Sequence, residues 1–413
     1  MLEQKILTID LGTSAIRVAL SVVHSGNKRT ITMTTAPSRG IRGGNIVNFQ
    51  SAKDSLNSAL NKLKVESSVT VPPEAYVLIT GAHTISYAVE SKITFAGIQT
   101  ISYSDVNEVK NKAKRELLKK LRQAASHFEI IHMIPQEFIV ENLTGIQNPI
   151  GHNGRELTMR AFVILASKSS MKTIESLLKE VGLRLKGVVL QSFAASHGIR
   201  DEKTYLNNNL LIYMGAGNTE YFYFREDKPV FLRHVPFGSE DIIENLVHQL
   251  KISRKEAEKL FLEHGSAYAF KVNKEEIIDV NYGMYTRKVP KILISALIHA
   301  QLKKLFKDIK DDLKNEDPTF VSNLNAVYLT GGLAKLKDID FLAGKILKAP
   351  AIVAETQDEV MKDTLYSPLV GTTNFVMSLK SRKRIVDIKE DLTKDYSRKG
   401  LFAGIWRFIT DLI

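Results

Sequence analysis

The sequence contains no cysteine in its 413 residues. This absence excludes disulfide bonds, thiol nucleophiles, thiolate zinc sites and iron–sulfur clusters, and it favours a cytoplasmic protein. Long apolar runs are also missing, because no stretch reaches the roughly 18 apolar residues that a membrane-spanning helix needs. The first residues include Glu3 and lead directly into a strand pattern, so we expect no signal peptide.

Positive charge, by contrast, is in excess. Lys and Arg number 57 against 45 Asp and Glu, which gives a formal net charge of +12. Such a balance suits either nucleic acid or an anionic membrane surface. The densest basic cluster lies at residues 380–384, near the end of the sequence, and no basic patch carries the interleaved aromatic residues of a single-strand binder. We therefore expect an anionic lipid membrane, and no nucleic acid, as the partner of the basic residues.

Strand and helix patterns alternate along the chain, which predicts an α/β protein. Strands are predicted at residues 5–10, 16–23, 76–80, 160–167, 187–191, 209–213, 221–224 and 325–330. Helices are predicted at residues 51–63, 105–128, 171–181, 242–250, 255–264, 290–312 and 339–347. A strand, glycine-rich turn and strand occur near the start and again near the middle. This coarse duplication predicts two similar halves that face each other.

Three glycine-rich turns are the candidate binding elements. Glycine allows a ligand to approach the backbone closely, and successive N–H groups in a tight turn form an anion-binding nest. Asp10 follows a strand and is a candidate Mg²⁺ ligand that bridges phosphates through water. The third turn offers a flat edge for a purine ring or an α-phosphate. The residues concerned are Asp10, Gly12, Thr13 and Ser14; Gly215, Ala216, Gly217, Asn218 and Thr219; and Gly331, Gly332, Leu333 and Lys335.

None of the three turns is a Walker A or G-x-G-x-x-G motif, but their order and separation are specific in combination. The combination resembles the superfamily of actin, the heat-shock chaperone ATPases and the sugar kinases. Within it, the chain resembles the bacterial cell-division protein FtsA family over nearly its whole length. Further supporting stretches are residues 38–47, 237–242, 257–260 and 297–302.

The resemblance implies an α/β, actin-like two-lobed ATPase fold with four subdomains, including an inserted subdomain of the FtsA type. It implies ATP and Mg²⁺ in the central cleft, and it adds Glu258 to the nucleotide contacts. The predicted organisation is 1–81 for the actin-like subdomain of the first lobe, 82–159 for the insertion, 160–206 for the rest of that lobe, 207–379 for the second lobe with nucleotide-binding and FtsZ-binding subdomains, 380–399 for a basic, polar linker and 400–413 for an amphipathic helix.

Several positions depart from the superfamily pattern. Tyr213 occupies the place of an Asp that usually begins the second phosphate turn, and Gln191 that of an acid. An amide can orient a water molecule but cannot accept its proton. Ala15, with Arg17 nearby, and Phe261 replace expected Lys residues. We therefore expect ATP binding with weak or absent hydrolysis and assign no catalytic residue. An active ATPase or small-molecule kinase of the same fold and a pilus-assembly actin-like adaptor are the alternatives.

Residues 401–413 have the pattern of an amphipathic helix. At 100° per residue the apolar side chains fall within an arc of about 160°. Such a segment is too short to span a bilayer but can lie in its interface, and it holds the only Trp of the chain. The alternative is a helix docked on the protein's own core. The predicted membrane-binding residues are Leu401, Phe402, Ile405, Trp406, Phe408, Ile409, Leu412 and Ile413.

The resemblance also implies partners. FtsA relatives receive the acidic C-terminal peptide of the tubulin-like protein FtsZ on a subdomain of the second lobe, and a basic helix suits that peptide. The family's usual Arg is Gln301 here, with Lys291, Lys303 and Lys304 as candidate substitutes. Self-association into actin-like protofilaments, with contacts through the insertion, and other division proteins are implied as well. The implied location is the cytoplasmic face of the cell membrane at the division site.

Overall fold

The computed structural model describes residues 4–23, 29–67, 69–199, 207–356, 358 and 361–391. The predicted amphipathic helix at 401–413, with its eight apolar residues, lies outside these residues. Residues 380–391, in the first part of the predicted linker, are helical. Across the described ranges, no helix is both long and apolar enough to cross a membrane.

The chain begins with a strand meander that a helix covers. The N-cap Asn48 accepts a hydrogen bond from the N–H of Ser51, and the helix buries Leu56, Leu60 and Leu63 on one face, as the spacing predicts. The elements are β1 (Gln4–Leu11), β2 (Ala15–Val23), β3 (Arg29–Pro37), β4 (Ile41–Arg42), β5 (Asn45–Ile46), α1 (Phe49–Glu66) and β6 (Glu74–Ile79).

The next segment builds a sheet and core of its own. Its elements are β7 (Thr84–Thr100), α2 (Tyr103–Leu121), β8 (Phe128–Val140), β9 (Leu143–Ile146) and β10 (Asn153–Ser167), with strand order β7-β10-β8-β9. Helix α2 packs on the sheet through Val106, Val109, Ala113 and Leu117. Strand β10 continues beyond residue 159, the boundary predicted from the sequence.

The prediction of a helix over 105–128 is wrong at its C-terminal end. Helix α2 ends at Leu121, and a 3₁₀ turn, Arg122–Ser126, follows before β8 begins at Phe128. Arg122 has φ 50°, outside the helical region. Beyond Leu121 no residue of this turn is buried, so no packing stabilises further helical turns.

The two halves of the molecule share one sheet topology. The first lobe adds α3 (Lys168–Glu180), β11 (Arg184–Leu190) and α4 (Gln191–Gly198). Its sheet has the order β3-β2-β1-β6-β11, with β1, β2 and β3 antiparallel and β1, β6 and β11 parallel.

The second lobe repeats this arrangement in the order β14-β13-β12-β17-β18. Strands β12, β13 and β14 are antiparallel, whereas β12, β17 and β18 are parallel. The predicted duplication is therefore confirmed. The elements are β12 (Asn209–Met214), β13 (Thr219–Arg225), β14 (Lys228–Val235), α5 (Ser239–Leu250), α6 (Arg254–His264), β15 (Ile277–Asn281), β16 (Thr286–Pro290), α7 (Lys291–Glu316), α8 (Pro318–Ser322), β17 (Ala326–Thr330), α9 (Ile339–Leu347) and β18 (Ala351–Val353).

The last described helix, α10 (Ser367–Asp391), crosses α4 at backbone contact. A Cβ on Gly371 would lie 1.7 Å from the carbonyl oxygen of Ala194, and one on Gly198 would lie 2.0 Å from that of Ser367. The side-chain amide of Asn374 donates to the carbonyl of His197 at 2.9 Å. Only glycine permits two helices to approach this closely, so α4 and α10 form a tight junction.

Candidate functional site

The first two predicted phosphate turns meet between the lobes. One turn joins β1 to β2 and the other joins β12 to β13, at equivalent places in the two sheets. The N–H of Gly43, in the β4–β5 loop, donates to Thr13 Oγ1 at 3.0 Å. A Cβ on Gly217 would lie 2.7 Å from that same oxygen. The structure therefore brings together the two turns that the sequence places about half the chain apart.

The second turn is held by its own lobe. The N–H of Gly215 donates to the carbonyl of Asn218 at 2.8 Å, and Ala216 accepts from the N–H of Glu240 at 2.8 Å. The side chain of Asn218 contacts His234 Nε2 at 2.7 Å, and Thr219 Oγ1 donates to a carbonyl at 2.8 Å. These side chains fix the shape of the turn and the start of α5 beside it.

The third turn packs directly against the second. Gly331 has φ 92°, its N–H donates to the carbonyl of Thr364 at 3.1 Å, and a Cβ would lie 2.5 Å from the carbonyl oxygen of Met214. Glycine is required here by both conformation and space. All three glycine-rich turns thus converge at the junction of the lobes.

Three predicted nucleotide contacts have other partners. Leu333 is 1% exposed and belongs to the core of the second lobe. Lys335 Nζ pairs with Asp363 at 2.7 Å. Glu258 lies on α6, where its carboxylate pairs with Arg254 Nε at 2.8 Å. Their assignment as nucleotide contacts stays a prediction from the family resemblance.

Asp10 lies beneath the first turn with both carboxylate oxygens engaged. Arg17, directly opposite on β2, places Nη1 3.2 Å from Oδ2, and Gln191 donates its amide to Oδ1 at 3.0 Å. Burial raises the pKa of the Asp10 carboxyl, and the Arg17 guanidinium opposes that shift. Gln191, which occupies the position of an acid in the superfamily, thus acts as a hydrogen-bond donor to Asp10.

A second buried carboxylate, Glu220, was not identified from the sequence. It is fully buried on β13, and its oxygens accept from the N–H of Gly81 at 2.6 Å and from the N–H of Ser192 at 3.3 Å, as well as from the Ser192 hydroxyl. These donors belong to the first lobe, so Glu220 ties the lobes together. A lone acid within an otherwise aromatic strand was the signal that could have revealed it.

Tyr213 lies near both carboxylates. Burial raises the pKa of its phenol well above the usual value, and the nearby carboxylates Asp10 and Glu220 add to this, while Arg17 opposes it. The phenol therefore stays neutral, and a neutral phenol is a poor ligand for a hard cation.

Asp10 is the residue predicted to hold a hydrated Mg²⁺, and both of its carboxylate oxygens contact protein donors in this structure. Within the part of the chain that the structure describes, no three His, Asp or Glu side chains are grouped to hold a metal ion. Asp10 and Glu220 are the buried acids at this junction, and each has both oxygens bonded to protein donors. Because Mg²⁺ keeps several water ligands, the contact through water at Asp10 stays a prediction from the sequence.

The residues predicted to bind FtsZ lie on α7. Lys291 pairs with Glu276 at 2.7 Å, Lys304 pairs with Asp308 at 2.5 Å, and Lys303 is exposed. The side-chain nitrogen of Gln301 is buried and, among the described atoms, lacks a hydrogen-bond partner. These residues share one helix, as predicted. Of the three lysines, only Lys303 makes no ion pair with a described residue.

Beside α7 lies an exposed ring cluster that the sequence did not reveal. We call it the aromatic patch: Tyr268, Phe270, His299 and Phe341. Phe270 is 77% exposed and Phe341 43% exposed. Lys271 Nζ lies 3.7 Å from the Phe341 ring centroid. Sequence reasoning missed the patch because its rings come from three separate segments.

Comparison with known proteins decides the family. A model described as "Cell division protein FtsA" matches residues 210–371, and one described as "SHS2 domain inserted in FTSA" matches residues 81–165. Together these ranges cover more than half of the chain. The chain belongs to the FtsA family of cell-division proteins.

FtsA relatives align over most of the chain. The FtsA of Streptococcus pneumoniae is 25% identical over 339 residues, 82% of this chain and 72% of that protein. The FtsA of Borreliella burgdorferi is 25% identical over 363 residues, 85% of this chain and 84% of that protein. The FtsA of Escherichia coli K12 is 20% identical over 385 residues, 90% of each chain.

Solved structures show the fold. A PilM–PilN type IV pilus biogenesis complex aligns with TM-score 0.62 at 14% identity, over 89% of this chain and 96% of that one. MreB5 of Spiroplasma citri bound to ADP aligns with TM-score 0.54 at 14% identity, over 92% and 98%. The prediction of an actin-like fold with an inserted subdomain of the FtsA type is confirmed.

Proposed function

We propose that this member of the FtsA family binds ATP between its lobes, assembles into actin-like protofilaments and tethers FtsZ filaments to the cytoplasmic face of the membrane at the division site. The observation that carries the nucleotide part is the convergence of the three glycine-rich turns. Two of them occupy equivalent places in the two lobes. Structures of MreB5, which has the same fold, contain ADP and AMPPNP, which supports this placement.

In this proposal the nucleotide is a structural ligand that is turned over slowly or not at all. Hydrolysis needs a group that orients water and accepts its proton. Gln191 donates to Asp10, Tyr213 is a buried neutral phenol, and the oxygens of Glu220 are held by donors of the other lobe. Phosphate release is expected at the level of a protein-free control. Phosphate release well above that of the protein-free control supports the alternative, an active ATPase or small-molecule kinase.

The FtsZ tail is proposed to lie along α7 and the aromatic patch. An acidic peptide with apolar side chains requires cations beside exposed rings. Lys303, exposed on α7, provides a cation, and Phe270 and Phe341 provide the exposed rings. Lys271 stacks on Phe341 and also pairs with Asp338 at 3.4 Å. His299 belongs to both α7 and the patch, which makes the two surfaces continuous.

The membrane tether is proposed for residues 401–413. One short interfacial helix binds lipid weakly, but many helices on one filament bind strongly through avidity. Helix α10 extends to Asp391, and residues 392–400 separate it from the tail. Pilus-assembly relatives generally lack such a tail, and a tail therefore favours the division role over the adaptor alternative.

One vesicle experiment tests both attachments. We expect the whole protein to pellet with anionic vesicles and to carry a fluorescent FtsZ-tail peptide with it, because the tail and the aromatic patch are separate sites. Protein lacking residues 401–413 should leave the peptide in the supernatant. Lys303→Glu should weaken peptide recruitment about fivefold without changing protein pelleting.

The matched control is Lys288→Glu, a charge reversal at an exposed position on β16. It should recruit the peptide as the parent does. Equal pelleting of the truncated protein with anionic vesicles would refute the tether, and unchanged recruitment by Lys303→Glu would refute the peptide site.

A further inference from the structure

Helix α2 carries an exposed basic surface that the proposed function does not use. One side of the helix packs on the sheet of the inserted subdomain, so the helix lies on the outside of that sheet. Four cations are exposed along its C-terminal half and at its end. We call them the basic surface: Arg115, Lys119, Lys120 and Arg122.

The charge of the basic surface is not neutralised by nearby acids. Among the described residues, none of its four cations forms an ion pair. Glu116, the acid that lies between them in the sequence, accepts from Ser91 Oγ at 2.7 Å and pairs with Lys112 at 3.8 Å. The surface therefore offers a net positive charge to a partner.

The cations extend further along α2 than the stability of the helix requires. Basic residues in the last turn complement the negative end of the helix dipole. Helix α2 ends at Leu121, and Arg115 lies almost two turns before that end. At 100° per residue, Arg115, Leu118 and Lys119 share an arc of about 100° on the side opposite the buried residues. Leu118 is 36% exposed, so an apolar side chain accompanies the cations on this side.

The shape of the basic surface favours a flat partner. A single helix on the outside of a sheet forms it, so it is convex, whereas bound peptides lie in grooves or along strand edges. Anionic phospholipid headgroups present dense negative charge and need no pocket. A single short interfacial segment holds a protein weakly at a membrane, and stable attachment takes a second signal such as a polybasic surface.

We propose that the basic surface of α2 binds anionic lipid headgroups and is a second membrane contact, made by the inserted subdomain. The proposal deepens the membrane part of the proposed function and rests on it. Residues 392–400, between α10 and the tail, can span at most about 30 Å when extended, so the tail leaves several faces of the protein free to meet the bilayer. Contact through α2 selects one of these faces and thereby orients the protein on the membrane.

Binding of the whole protein to phosphatidylcholine vesicles with and without phosphatidylglycerol tests the proposal. Arg115→Gln combined with Lys119→Gln should weaken binding to the anionic vesicles about 20-fold, because each basic residue at such a surface contributes about fivefold. The fold should be unchanged by circular dichroism, since Gln forms helix as well as Arg and Lys do. High salt should abolish the difference, and binding to the neutral vesicles should equal that of the parent.

The matched control is Lys274→Gln combined with Lys288→Gln, which removes the same charge from exposed positions in the second lobe. It should bind anionic vesicles within about twofold of the parent. Parent-like binding by the α2 variant, an equal loss in the control, or an equal loss on neutral vesicles overturns the proposal. An α2 variant that binds vesicles normally but loses a polyglutamate peptide bound by the parent also overturns it and assigns the surface to an acidic protein. Undiminished pelleting of protein lacking residues 401–413 refutes the tether instead, and the α2 variant still decides this proposal.

Discussion

Replacing Gly371 by alanine is expected to destabilise the protein severely. The added Cβ would lie 1.7 Å from the carbonyl oxygen of Ala194 and 2.7 Å from the backbone nitrogen of Gly198. Both obstacles are backbone atoms, so no side chain can rotate away, and α4 and α10 must separate. We expect a loss of at least about 3 kcal/mol in the free energy of unfolding, measured by urea denaturation followed by circular dichroism.

Gly97→Ala provides the matched control. Gly97 is exposed on β7, and a Cβ there would meet no atom within 4 Å. Its stability should differ from the parent by no more than about 0.5 kcal/mol. A Gly371→Ala variant with the denaturation midpoint of the parent would show that the two helices are not in backbone contact.

Replacing Glu220 by alanine is expected to loosen the connection between the lobes. The change removes the acceptor of three buried donors: the N–H of Gly81, and the N–H and hydroxyl of Ser192. Unsatisfied buried donors cost about 1–3 kcal/mol each, so a loss near 3 kcal/mol is expected after relaxation. Hydrogen exchange at the Gly81 and Ser192 amides should accelerate, which reports the loss of this tie directly.

Glu220→Gln should have a smaller effect. Its amide oxygen can still accept from Gly81, but its NH₂ group then faces the N–H of Ser192. Glu108→Ala, which removes an exposed carboxylate from α2, should leave both stability and exchange unchanged. Parent-like amide exchange in Glu220→Ala would contradict the proposed link between the lobes.

Local patterns were sufficient to predict the hairpins and most helices. Strands predicted at 5–10 and 16–23 are β1 and β2, and the helix predicted at 339–347 has those bounds in the structure. Each of these elements is determined by the spacing of its own apolar residues and by nearby turn residues, which a single sequence displays. The duplication of the sheet followed from the two glycine-rich turns for the same reason.

Long-range contacts explain what was missed. Glu220 meets its donors at residues 81 and 192, and the rings of the aromatic patch come from residues 268–341. The spacing of neighbouring residues in the sequence does not indicate which distant residues come into contact in the fold. Helix α10 was missed because its buried residues do not lie on one face: the adjacent pairs Leu369–Val370 and Phe375–Val376 are all buried, so the sequence shows no single apolar stripe. The Arg17–Asp10 pair could have been predicted from the sequence, because the two residues face each other across a predicted hairpin.

The α4–α10 junction links the candidate nucleotide site to the last described helix of the chain. Helix α4 begins at Gln191, which touches Asp10 under the phosphate turn, and α10 leaves the junction and runs to Asp391. Because the glycine contacts leave no room between α4 and α10, we expect a displacement of α4 to move α10 with it. In the proposed membrane-bound filament, force on the end of α10 would therefore be transmitted through α4 to Gln191 beside Asp10.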